Sequence, residues 1–227
     1  MSSPLQMKFV EIRARIAAAV DGTPATLVAV SKTQPAAAVR DLHGLGQSAF
    51  GENYVQEALA KMAELADCAI EWHLIGPLQS NKCREVAEHF DWLQTLDRAK
   101  LIGPLARHRP ADKAPLNVLV QVNIDDEDSK SGVSPGELPA LAAAVAGAPR
   151  LRLRGIMSIP RPWPTLEQRA ASFQRLRVLF DQLKAGHPDI DTLSMGMSED
   201  FELAIQHGAT MVRVGSALFG ARAPGGR

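Results

Sequence analysis

The stretch "DTLSMGMSEDFELAIQHGATMVRVG", residues 191–215, decides the fold. It holds a short apolar run (DTLSM, 191–195), a periodic segment that Ser198 can cap, a glycine stop at Gly208, and a second β-rich run (TMVRVG, 210–215). This reads as strand, helix, strand. A helix between two strands carries the chain back to the starting end of the sheet, so the strands lie parallel.

Outward from this unit the pattern repeats. Further runs are TLVAVS (26–31), SAFG (48–51), EWHLIG (71–76), DWLQTL (91–96), NVLVQVNI (117–124) and LRLRGIM (151–157). Helical periodicity fills the intervals, as in YVQEALAKMAEL (54–65) and FQRLRVLFDQL (173–183). Strands apolar on both faces belong to a parallel sheet covered by helices. A doubly wound open sheet competes, but no GxGxxG follows the first strand and the repeat reaches eight. The expectation is an α/β fold, a single (β/α)8 TIM barrel.

Two helix starts carry a capping box: Ser134-Pro135-Gly136-Glu137, and Thr165-Leu166-Glu167-Gln168 after "IPRPWP". Gly147, Gly186 and Gly208 stand where helices should stop. The opening "MSSPLQMKFVEIRARIAAAV" mixes charges into an apolar stripe, so it reads as an extra amphipathic helix and not as a signal peptide. Without a linker or composition break, one domain is expected over 1–227, its barrel core at 8–222 and its tail, APGGR (223–227), frayed.

The chain has 227 residues, enough for one substantial core. Lys+Arg and Asp+Glu are both 25, a balance that argues against a grip on nucleic acid or an anionic membrane. No stretch approaches the roughly 20 apolar residues of a membrane span. Cys68 and Cys83 form neither a CxxC nor a metal pattern, so a reduced, cytosolic setting without disulfide or zinc is expected.

Barrel chemistry belongs at the C-terminal strand ends. Those ends carry Ser31-Lys32, Glu52-Asn53-Tyr54, His73, Asn123 and Met157-Ser158, then Met195 to Ser198, then Arg213 and Gly215-Ser216. Lys32 either snorkels to solvent or holds an amine over the mouth, where partial burial would make it a nucleophile toward an aldehyde. Ser198 at one helix start, with Gly215 and Ser216 at another, would form an anion cup after strands seven and eight. Glu199 and Asp200 would oppose an anion there unless they point away. Closure puts strand eight beside strand one, so amine and cup face one mouth. A ligand bearing both aldehyde and phosphate fits: pyridoxal 5′-phosphate (PLP) or a sugar phosphate aldehyde.

Taken together, "AVSKTQP", "FGENYVQE", "WHLIGPLQSNK", "VNIDDEDSKSG", "GIMSIP" and "LSMGMSEDFELAIQHGATMVRVGSALFG" resemble the YggS/PROSC family of pyridoxal phosphate homeostasis proteins, in order over residues 8 to 222. The resemblance implies the barrel of the N-terminal domain of bacterial alanine racemase, with PLP bound as a Schiff base. It implies Lys32 as the Schiff-base residue and Ser198, Gly215 and Ser216 at the phosphate. Arg213 would face the pyridine nitrogen and Asn53 would lie near the ring. Position 216 is often threonine in the family; serine keeps the hydroxyl. His73, Asn81 and Lys82 match the family's "H-x-IG-x-LQ-x-NK" signature, placed at the barrel mouth. Lys130 matches a family lysine and, with His73 and Met195, is a secondary candidate.

Binding PLP does not make an enzyme. An arginine at the pyridine nitrogen disfavours its protonation and weakens the ring as an electron sink. Racemisation also needs a second base. In the racemases that base is a tyrosine supplied across a dimer by a C-terminal domain, whereas this chain is expected to stop after strand eight as a monomer. Its one tyrosine, Tyr54, lies in the second βα turn, where packing against the helix it opens is expected. The resulting expectation is a non-catalytic PLP reservoir or carrier that meets apo-enzymes transiently. The alternatives are a weak amino-acid racemase or lyase, and an aldolase using Lys32.

Overall fold

Strand β1 (Thr26–Val30) pairs on one side with β2 (Ala49–Glu52) and on the other with β8 (Met211–Val214), and this closes the sheet. Between them run β3 (Glu71–Leu74), β4 (Trp92–Leu96), β5 (Leu116–Gln121), β6 (Leu151–Met157) and β7 (Thr192–Ser194). Neighbours follow sequence order and every pairing is parallel. The computed structural model from which this comes describes residues 3–220 apart from 21, 23, 128 and 129. The tail at 223–227 lies outside the described residues.

Outside the barrel lie α2 (Ala36–Gly44), α3 (Val55–Glu64), α4 (Cys83–His89), α5 (Ile102–His108), α6 (Leu138–Ala146), α7 (Leu166–Gly186), α8 (Phe201–Gln206) and the short α9 (Ser216–Phe219). The expected extra helix is α1 (Pro4–Ala19), started by Ser3, whose side chain accepts from the Gln6 N–H. Phe9, Ile12 and Ile16 bury its inner face. Arg15 fixes it to α8 through a two-pronged contact with Glu202 at 2.9 and 2.7 Å.

Strand parity divides the core. Val28, Ala49, Trp92, Leu119, Met157 and Met211 fill the barrel interior. Alternate residues such as Ala29, Phe50, Leu93, Ile156 and Val212 face the helices and form the larger outer cluster.

The ends of elements depart from expectation for local reasons. The run 117–124 leaves the ladder at Gln121 because Asn123 turns to hold the next loop, donating to the Glu127 carbonyl and accepting from its N–H. Thr165 does start α7, accepting from the Gln168 N–H, and the helix is longer than its periodic centre. The box at Ser134 closes only in part. Glu137 accepts from the Ser134 N–H, but α6 begins one residue later, without a side-chain cap.

Candidate functional site

The C-terminal strand ends surround a cavity of about 380 Å³, within the range of small-molecule sites. Lys32, Asn53, Ser198, Arg213, Gly215 and Ser216 all line it. The backbone parity that sends Val28 inward brings Lys32 to the same side two residues past the end of β1.

The neighbours of Lys32 are gripped from behind the barrel wall. Lys61 on α3 donates to the Ser31 carbonyl at 2.7 Å and pairs with Glu52 and Glu57, each at 2.8 Å. The Ser31 hydroxyl donates to Glu52 at 2.6 Å. Thr33 has a left-handed backbone (φ 65°), and its N–H is held by Glu57 at 2.6 Å. Burial pushes the Glu52 carboxyl above its usual range, against the opposing pull of Lys61 and Ser31. On the next strand exit, a Cβ on Gly76 would lie 2.2 Å from the Asn53 carbonyl oxygen, so only glycine lets this segment press against Asn53.

The anion cup differs from its expected form. Ser198 does not start α8; that position belongs to Asp200, whose carboxylate accepts from the Met197 N–H at 2.8 Å. The Ser198 hydroxyl instead accepts from the N–H groups of Gly215 and Ala217, both at 3.3 Å, and so ties the β7 exit to the start of α9. The intervening turn needs Gly196 (φ +91°), where a Cβ would stand 2.5 Å from that of Ala204. Glu199 also lines the cavity, at its solvent side, with its side chain 82% exposed and 3.8 Å from Arg169. Asp200 lines the cavity, and desolvation raises its carboxyl pKa.

Arg213 is a buried cation bound by neutral groups. It donates to the Ser194 hydroxyl at 2.7 Å and to the Ser158 carbonyl at 2.9 Å. Desolvation lowers its pKa to about 10. An acceptor arriving in the mouth would find a donor already aimed and dehydrated.

The secondary candidates fall elsewhere. His73 is not at the mouth: it lies inside the barrel, stacked on Trp92 with ring centroids 5.2 Å apart. Met195 faces the helices, because the inward position on β7 is Ser194. Lys130 donates to the carbonyls of Ile159 and Pro160 at 3.2 and 3.0 Å, bracing two residues of the rim without lining the cavity. Lys82 pairs with Glu85 at 3.0 Å, and neither it nor Asn81 lines the cavity. Tyr54 does not pack on the helix it opens; it is 63% exposed and outside the cavity lining. Arg169 on α7 lines the cavity and was missed, since a charge on a long helix looks like any solvated face. Gln94 inside the barrel was also missed, although a glutamine within the apolar run DWLQTL was a readable signal.

Comparison with known proteins gives this geometry its family. A family model described as alanine racemase, N-terminal domain, matches residues 10–223. The pyridoxal phosphate homeostasis protein of Pseudomonas aeruginosa is 54% identical over 225 residues, covering 97% of this chain and 96% of that protein. The chain belongs to the pyridoxal phosphate homeostasis protein family. The member from Escherichia coli K12 is 55% identical over 200 residues, covering 87% and 86% of the two chains. PipY of Synechococcus elongatus, solved with PLP bound, superposes with a TM-score of 0.84 at 36% identity, over 95% of this chain and all of that one. The fold extends further: alanine racemase from Corynebacterium glutamicum shares it at 19% identity (TM-score 0.70), with this chain spanning 63% of that one.

Proposed function

We propose that this protein binds PLP at the barrel mouth and keeps it in reserve within the cell, without turning over amino acids. The observation that carries the reading is the meeting of three groups in one cavity: the amine-bearing Lys32, the Ser198 hydroxyl beside the start of α9, and the buried Arg213. These match the aldehyde, the phosphate and the pyridine nitrogen of PLP.

In this reading the Lys32 amine condenses with the aldehyde, water leaves, and a Schiff base joins the two. Ser198, Gly215 and Ser216 hold the phosphate, and Arg213 donates to the pyridine nitrogen. A donor that stays cationic keeps a proton off that nitrogen, which suits storage better than carbanion chemistry. Asn53 stands beside the ring. The only tyrosine, Tyr54, is exposed and outside the cavity, so no phenol faces Lys32 to serve as a second base. A monomer in the cytoplasm, meeting apo-enzymes transiently, completes the proposal. The PLP-bound relative and the names of the close homologues support the cofactor and its homeostatic role.

An absorbance spectrum followed by borohydride reduction and peptide mapping tests the site. A yellow protein with a pyridoxyl group on Lys32 is expected. A colourless protein that gains no adduct from added PLP overturns the cofactor reading. Racemisation or lysis of amino acids by the loaded protein overturns the reservoir reading while leaving the cofactor in place.

A further inference from the structure

Beneath the mouth a file of buried side chains crosses the barrel interior and ends on Arg213. It begins at Glu71, at the start of β3, whose side chain is 45% exposed and lies 2.9 Å from His73 Nε2. Gln94 Nε2 lies 3.0 Å from His73 Nδ1. The Ser194 hydroxyl donates to Gln94 Oε1 at 2.7 Å and accepts from Arg213 at 2.7 Å. His73, Gln94, Ser194 and Arg213 come from β3, β4, β7 and β8, and all four are buried.

Arg213 at one end and the surroundings of Gln94 in the middle set the direction of the bonds. A guanidinium only donates, so the Ser194 oxygen must accept. Gln94 Nε2 also lies 3.2 Å from the sulfur of Met211, which can only accept, so the amide presents its NH2 on that side and leaves Oε1 to take the Ser194 hydroxyl proton. This turns the amide NH2 of Gln94 toward His73, where Nδ1 has to offer a lone pair. The imidazole proton therefore sits on Nε2 and is donated to Glu71. Trp92 holds the ring plane, with its rings tilted only 11° from those of His73 and the Arg154 guanidinium 4.5 Å from its own centroid.

We propose that His73 is a positioning residue for Arg213, acting through Gln94 and Ser194. The file locks one tautomer at the barrel floor and one guanidinium orientation at the mouth. Its consequence for the ligand rests on the PLP reading, because it assigns Arg213 to the pyridine nitrogen.

The test has two parts. Imidazole nitrogen NMR of the ligand-free protein reads the tautomer directly. His73 should be neutral with its proton on Nε2, and Gln94→Leu should release this preference. PLP titration then compares His73→Leu with His73→Asn, which can still offer Gln94 an acceptor. The leucine variant should show a shifted chromophore maximum and about tenfold weaker binding, of the order expected when a hydrogen bond to a charged group is lost. Borohydride trapping on Lys32 should persist, and the asparagine variant should recover both the maximum and the affinity. A proton on Nδ1 in the native chain, or an unshifted chromophore in His73→Leu, overturns the proposal. If the native protein binds no PLP, the cofactor reading fails, and the ligand-free tautomer still decides whether the file exists.

Discussion

The Nζ of Lys61 lies 2.7 Å from the carbonyl oxygen of Ser31, so a buried amine on α3 holds the backbone immediately before Lys32. The same amine pairs with Glu52 and Glu57, and Glu57 holds the N–H of Thr33 on the far side of Lys32. One charged cluster thus sets the path of the chain on both sides of the mouth lysine. Lys61→Met keeps an apolar stem but leaves the Glu52 carboxylate buried without its cation. Breaking such a pair costs about 3–5 kcal/mol. Urea denaturation should show that loss, and adding Glu52→Gln to Lys61→Met should restore much of it. Additive losses in the double variant would show that the two groups are not coupled.

Glu52 also gives the protein a pH signature. Its carboxyl is fully buried, its Oε2 has no hydrogen-bond partner among the described residues, and burial raises its pKa. The folded state therefore holds this proton more tightly than the unfolded chain does. Stability from this group is fullest below the ordinary glutamate pKa and is lost as pH rises through the raised folded value. The loss amounts to roughly 1.4 kcal/mol per pKa unit of elevation. Glu52→Gln should remove this downward slope, while carboxylates common to both chains cancel in the difference. Parallel stability curves for the two proteins across that window would contradict the assignment.

The buried guanidinium of Arg213 predicts a conflict between stability and binding. Desolvation lowers its pKa from the ordinary arginine range to about 10. At about 1.4 kcal/mol per unit, that penalty is about 3–4 kcal/mol, offset in part by the bonds to Ser194 and Ser158. Arg213→Met removes the charge and leaves no donor stranded, because the Ser194 hydroxyl still donates to Gln94. The ligand-free variant should melt above the parent by a few degrees, since about 1 kcal/mol moves a chain of this size by 2–4 °C. It should also bind PLP more weakly. A lower melting temperature without ligand would identify Arg213 as a net support of the fold.

These relationships were unevenly legible in the sequence. The barrel was readable because each strand is apolar on both faces, and even the three-residue β7 stands between clear turns. Lys32, Arg213 and Gly215 were readable once the strand ends were known. His73 was misplaced because a strand run gives parity but not height. Its partners across the sheet are Gly51 and Trp92, so it lies below the mouth. Met195 failed by a single step of parity beside Ser194. The clamp of Glu52, Glu57 and Lys61 left no trace, because Lys61 has the helical spacing of an ordinary surface residue and only the fold turns it inward.

Ser198 reaches the cavity for a local reason other than the expected one. It was expected at the start of α8, but its hydroxyl instead receives the N–H groups of Gly215 and Ala217 from the start of α9. At 3.3 Å both contacts are long, so their loss should cost little stability, on the order of 1 kcal/mol or less. The ligand should register a larger change. In the proposed site the hydroxyl turns its proton to the phosphate, a charge-assisted bond of about 1.5–3 kcal/mol. Ser198→Ala should therefore weaken PLP binding about 10- to 100-fold. Binding of pyridoxal, which lacks the phosphate, should change far less. Titrations of both ligands against both proteins provide the comparison. Equal losses for PLP and pyridoxal would place the defect in the loop and remove Ser198 from the phosphate site.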